Sequence, residues 1–249
     1  PELHIECMDV KCLLMKTQRL ELMGEIKAQQ AINTLLSREP ISSYLNGKSV
    51  TVPADEKRAR GLQMESDYDF IVRQAQYSGC EFFILCGKAY FRRIPQVGMP
   101  IMELGPHSGL LSATLSLRGA ELVKEVRVVG IDPGTDKEVS GTASLSGTFS
   151  KGATAKKMIS GTERVYLDPM TTSATQAQAR AKILMDGMTA RFGCLEAECI
   201  GLPDLIPGRL IRVADLSDEA EQNFYITNVH HSYGQDGFST SLEARVKSL

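Results

Sequence analysis

No stretch of this 249-residue sequence approaches the ~20 consecutive apolar residues that a membrane-spanning helix needs. Excess charge of either sign is lacking too: 28 Lys and Arg stand against 30 Asp and Glu, a formal net charge of -2. A chain so balanced carries no electrostatic footprint for nucleic acid. Six cysteines sit at positions 7, 12, 80, 86, 194 and 199, with no C-x-x-C among them and no histidine at a zinc-finger distance. They read as small hydrophobes of a reduced intracellular protein. The sequence also lacks G-x-S-x-G, H-E-x-x-H, G-x-G-x-x-G, and S-x-x-K with its partner motifs. No catalytic, cofactor-binding or metal-binding residue is therefore assigned, and no cofactor is expected.

Hydrophobic residues make up 43% and charged residues 23%, ordinary values for a globular protein. A chain of this length buries roughly 70–75% of its unfolded surface, so it can fold without metal or disulfide. Nothing reads as a signal peptide. The first residue is Pro, and Leu3–Met8 reads as a strand entered midway, the expectation for a fragment or a processed product.

Candidates for chemistry have simpler structural readings. His230 and His231 are adjacent, so on a regular strand they point to opposite faces and cannot grip one metal together. Asp67 and Asp69 follow Ser66 at the head of an apolar-periodic run, the place of a helix cap. Gly130–Gly134 follows a strand with no helix after it and reads as a turn.

The apolar spacing predicts a helix over Ile26–Leu36, closed by Pro40, and a second over Asp67–Ser78, stopped by Gly79. Asn46-Gly47 marks a turn before a short Ser49–Val52 strand, and Asp55–Arg60 is a charged stretch. Cys80–Phe91 reads as a hairpin turning at Cys86-Gly87-Lys88. After Pro100 strand periodicity takes over: Gly109–Leu117, Leu122–Val129, Glu138–Leu145, Cys194–Ile200, Leu210–Ala214, Asn223–Tyr233 and Phe238–Val246. One helix interrupts them, capped by Ser173, running over about 174–191 and ended by Gly193. Ser146–Gly161 is rich in Gly, Ser, Thr and Lys and reads as a long loop, disordered or ordered by a partner. The expected fold class is α+β, mainly antiparallel β, with a tube-like small barrel plus a helix-and-hairpin domain.

Two stretches carry a resemblance. Ser66-Asp67-Tyr68-Asp69-Phe70-Ile71-Val72-Arg73-Gln74-Ala75, then Gly79, a hydrophobic strand and Gly87-Lys88, form the first. The second runs through Gly201-Leu202-Pro203-Asp204-Leu205-Ile206-Pro207-Gly208, Phe224–His231 and Gly237-Phe238-Ser239-Thr240. In order and spacing they resemble the phage tail baseplate hub proteins of the late control gene D and VgrG-like family.

That resemblance implies a structural homotrimer, each subunit carrying two related barrels, that joins a tail tube protein to a spike protein. It implies a place in the baseplate of a virion tail or injection particle, assembled in the bacterial cytoplasm, and no enzymatic activity. On this reading residues 1–8 end a truncated first barrel, 9–95 form an intervening helical and hairpin domain, and 96–249 form the second barrel. Subunit contacts are expected at strand edges near Leu122–Val129 and Phe238–Val246, unless both faces are settled within one chain. The alternative is a tail-associated carbohydrate-binding module or hydrolase, which requires a cleft with converging carboxylates or a triad.

Overall fold

The computed structural model describes residues 3–94, 98–145, 157, 159–217, 221–235 and 237–246. The chain divides into two compact units, Pro1–Pro95 and Gln96–Leu249.

The first unit runs α1 (Lys11–Lys16), β1 (Gln18–Ile26), α2 (Ala28–Leu35), α3 (Ile41–Tyr44), β2 (Gly47–Val50), β3 (Arg58–Ser66), α4 (Asp67–Ser78), β4 (Cys80–Leu85) and β5 (Lys88–Arg93). Strands β1 and β3 form an antiparallel ribbon, and β2-β5-β4 form a second small sheet. Leu14, Ile32, Leu35, Leu62, Phe70, Ile71 and Phe91 are fully buried between these elements. Helix α4 starts and stops as its sequence dictates: the Asp69 amide donates to Ser66 Oγ at 3.0 Å, and Gly79 takes the left-handed φ 63, ψ 33.

The preceding elements depart from the expected ones. Leu3–Met8 forms no strand, because no described strand pairs with it. Helix α2 begins at Ala28, two residues later than expected, since β1 pairs as far as Ile26. Its first two amides, Ala28 and Gln29, donate to the Asp55 carboxylate, both at 2.8 Å. A cap supplied from 27 residues downstream leaves no local signature. The charged stretch Asp55–Arg60 runs into β3, whose first residue is Arg58.

Strand β1 turns its polar side inward. Arg19 and Glu21 are half-buried, while Leu20 and Leu22 on the other side are exposed. The inward groups surround Asp67, which is 1% exposed. Arg19 Nε lies 3.3 Å and Arg38 Nη1 3.9 Å from its Oδ1, and Arg38 also reaches Glu21 at 2.6 Å. Burial pushes the Asp67 carboxyl above its ordinary 3.8, against the pull of Arg19 and Arg38. Folding then takes up a proton just above that pH, so this group's contribution to stability falls as pH rises through the window. The stability of wild type minus that of Asp67→Asn, measured by urea unfolding from about pH 3.5 to about pH 7, is expected to decline with pH. A rise would mean that the arginines outweigh burial.

The second unit contains β6 (Glu103–Leu104), β7 (Leu110–Leu117), β8 (Glu125–Asp132), β9 (Lys137–Ser144), β10 (Glu163–Leu167), α5 (Ala174–Thr189), β11 (Gly193–Ile200), β12 (Leu210–Val213), β13 (Asn223–Gly234) and β14 (Gly237–Val246). Six strands in the order β6-β12-β13-β14-β11-β7 form an open half-barrel sheet; β10-β8-β9 form a three-stranded sheet covered by α5. The molecule is thus α+β and mostly antiparallel. Along β14, Thr240, Leu242, Ala244 and Val246 are buried while Ser241, Glu243 and Arg245 are exposed, as the alternation requires. Lys247 lies outside the described residues.

Several boundaries move. Strand β8 begins later than expected and continues through Asp132, so the turn falls at 133–136 and not at Gly130. Gly193 is the first residue of β11; α5 ends at Thr189 through the Arg191 N–Met188 O and Phe192 N–Thr189 O bonds. Strand β10 was not anticipated. It pairs parallel to β8, from the far end of the expected Ser146–Gly161 loop, most of which lies outside the described residues. Both expected contact edges are interior: β8 lies between β10 and β9, and β14 between β13 and β11. Their ladders are satisfied within the chain, which leaves no backbone groups there for a neighbour.

Candidate functional site

The titratable candidates have structural partners. Asp67 sits in the buried ion cluster, and Asp69 Oδ2 accepts from Ser66 Oγ at 2.7 Å. Asp132 accepts from the Gly134 amide and the Thr135 hydroxyl, which hold its carboxyl below the usual range. Burial pushes the Cys199 thiol up to about 11, in keeping with a core filler. Among the described residues no group of three or more His, Cys, Asp or Glu is placed to hold a metal. An open cleft of about 890 Å³ runs along α2, lined by Gln30, Asn33, Thr34, Ser37 and Asp55. Its carboxylate, Asp55, is engaged by two helix amides and by Arg60 at 3.5 Å.

The motif pieces of the C-terminal stretch converge on one loop. Leu202 N–H donates to Thr240 Oγ1 at 3.0 Å, and Gly201 N–H to Phe238 O at 2.8 Å. The His231 ring bridges Thr240 Oγ1 at 2.9 Å and Leu205 O at 3.1 Å. Because a carbonyl only accepts, Nε2 carries the proton in the neutral ring, and Nδ1 accepts from the Thr240 hydroxyl. Gly208, at φ 87, donates to Ile226 O and turns the chain into β12. Three separated stretches thus hold the 201–208 loop against β13 and β14. His231 makes this clamp, whereas His230 stands on the sheet's polar face, so the two adjacent histidines do point to opposite faces.

That polar face is the other feature of the six-stranded sheet. Ser112 and Thr114 of β7, Glu196 and Glu198 of β11, Ser241 and Glu243 of β14, and Asn228 and His230 of β13 line a shallow basin of about 460 Å³. Glu196 and Glu243 are direct cross-strand partners. Like charges so placed oppose pairing, so folding alone does not account for the choice of residues. The sheet ends at β6 on one side and β7 on the other. Edge pairing could not be read from the sequence, since alternation marks faces and carries no information on strand order.

No curated protein matches the sequence. Solved structures do. The tail protein from Neisseria meningitidis MC58 aligns at 12% identity over 94% of this chain and 71% of its own, with a TM-score of 0.71. The 43 kDa tail protein of prophage MuSo2 from Shewanella oneidensis aligns at 11% identity over 95% and 70%, with a TM-score of 0.73. A component of the type VI secretion system of E. coli aligns at 12% identity over 94% and 52%, with a TM-score of 0.61. At such identities the likeness is one of fold, and it agrees with the resemblance carried by the two motif stretches. Residues 1–235 match the family model described as the Alg8 N-terminal domain, and the chain belongs to that family.

Proposed function

We propose that this chain is a structural baseplate hub component of a contractile phage tail or related injection apparatus. The observation that carries the reading is the shared fold with two tail proteins and a type VI secretion component over 94–95% of the chain. In this role the molecule works by contact, as a homotrimeric ring joining a tail tube protein to a spike protein. Residues 1–8 would end a first barrel, 9–95 would be the intervening domain and 96–249 the second barrel. The open half-barrel and its polar face suit a ring wall whose inner surface stays wetted. The place of action is the baseplate of a virion tail or injection particle, assembled in the bacterial cytoplasm.

The test is solution mass by light scattering behind size exclusion over a range of concentrations. A mass near three times 27.3 kDa is expected. A strict monomer at the highest concentration would overturn a homotrimer built by this chain.

A further inference from the structure

The solvent side of a helix is where charged side chains normally collect. Helices α4 and α5 follow that rule, with Asp69 and Arg73 exposed on one and Lys182 on the other. Helix α2 does not. Its Ala28, Ala31, Ile32 and Leu35 are buried, and the residues between them that line the open cleft are Gln29, Gln30, Asn33 and Thr34. Ser37 extends the same side past the helix end. Asn and Thr are among the weaker helix formers, so helix stability does not explain these choices.

The uncharged side chains are equipped to bind. The carboxamides of Gln29, Gln30 and Asn33 have no partner among the described residues, and each presents both donors and an acceptor. Thr34 Oγ1 donates back to Gln30 O at 3.0 Å and Ser37 Oγ to Asn33 O at 2.7 Å, so each hydroxyl can still accept. Positions 29, 33 and 37 stand one above another at four-residue spacing, as do 30 and 34. The result is two rows of polar groups repeating about once per helical turn, roughly 5.4 Å.

Positive charge lies at both ends of the rows. Lys27 precedes the helix, is exposed and has no ion pair among the described residues. Lys48 Nζ donates to Asn33 O at 3.3 Å and to Ser37 Oγ, which leaves one of its protons uncommitted. Roughly 15 Å of helix separates residue 27 from residue 37, at 1.5 Å per residue. The carboxylate that lines the cleft, Asp55, is already engaged by two helix amides and Arg60.

These features select a ligand. Val52 is the one apolar residue among those lining the cleft, whereas a protein interface needs an apolar core and a membrane surface an apolar face. A lone small anion would leave most of a cleft of about 890 Å³ empty and both rows unused. Hydroxyl groups, which donate and accept, complement carboxamides that do the same. Anionic groups complement two ammonium groups that lack a carboxylate partner.

We propose that the α2 cleft binds an anionic polysaccharide, a hydroxyl-rich chain bearing carboxylates or phosphates. The chain lies along the helix with its hydroxyls on Gln29, Gln30 and Asn33 and its anions at Lys27 and Lys48. The site binds and does not cleave, since its carboxylate is committed to the helix amides and Arg60. It lies wholly within the first unit and does not depend on a ring.

Isothermal titration calorimetry of the full chain tests the site with four probes: oligogalacturonate, phosphomannan, neutral chitohexaose and poly-glutamate. Binding of at least one of the two acidic polysaccharides is expected, and the tighter one identifies carboxylate or phosphate as the anion. Chitohexaose and poly-glutamate should each bind at least ~10-fold more weakly. Gln30→Glu sets a like charge against the ligand, and Lys27→Gln removes a cation without a structural partner. Each should weaken binding at least ~3-fold and keep the wild-type urea midpoint. Failure of both acidic polysaccharides to bind overturns the site. Equal binding of poly-glutamate overturns the polysaccharide as its ligand, and equal binding of chitohexaose overturns the need for an anion. Binding that neither substitution changes overturns its place in the α2 cleft.

Discussion

Gly141→Ala is expected to destabilise the second unit by about 3 kcal/mol, near the upper end for overpacking. Gly141 lies in β9 where α5 crosses, and a β-carbon there would fall 2.5 Å from both the Ala177 carbonyl carbon and Gln178 Cα, and closer still to Gln178 N. These are backbone atoms of the helix and cannot rotate aside. The helix is also tied to the strand: Gln178 Oε1 accepts from Thr142 N–H at 3.1 Å, and its Nε2 donates to Thr142 O at 2.6 Å. Relief would require lifting α5 off a layer in which Val126, Val128 and Ala181 are fully buried. The same substitution at Gly187, on the exposed side of α5 with nothing within 4 Å of the added atom, should stabilise by about 0.5–1 kcal/mol. Urea unfolding of both variants checks the pair. Equal shifts would show that the close approach of α5 to β9 is not what glycine serves at 141.

The same contact illustrates what could be read from the sequence. The Ser173 cap announced the helix over about 174–191, and the Gln176 amide does donate to Ser173 Oγ. It did not say that the helix would meet Gly141, 36 residues upstream of Ala177. Alternation located β7, β11, β13 and β14, because each has one face on a core. It failed on β1, where half-buried Arg19 and Glu21 serve an ion cluster and the leucines face out. A two-stranded ribbon with its polar side inward gives the reverse of the usual pattern. Strand β10 escaped because its Glu163, Arg164 and Val165 are all exposed, so burial imposed no alternation. The free edge of β7 needed the strand order, which depends on pairings between residues far apart in the chain.

Thr240→Val should cost about 2 kcal/mol, although it changes one atom in a fully buried side chain. The Thr240 hydroxyl works twice, accepting from Leu202 N–H and donating to His231 Nδ1. An isosteric methyl leaves the Leu202 amide, on a half-buried residue, without its acceptor, at a cost of about 1–2 kcal/mol, while the exposed His231 ring can exchange its lost partner for water. Thr240→Ser keeps the hydroxyl and loses one methyl, so its cost should stay near ~1 kcal/mol. His231→Ala removes the link to Leu205 O and the acceptor for Thr240. Since the two side chains act through one network, the double variant should cost less than the sum of the singles. Hydrogen exchange locates the effect: amides of 201–208 should lose protection in both single variants, while those of β11 hold theirs until global unfolding. A Thr240→Val protein within ~0.5 kcal/mol of wild type would mean that the loop is held by its backbone bonds, Gly201 to Phe238 and Gly208 to Ile226, and not by the Thr240–His231 clamp.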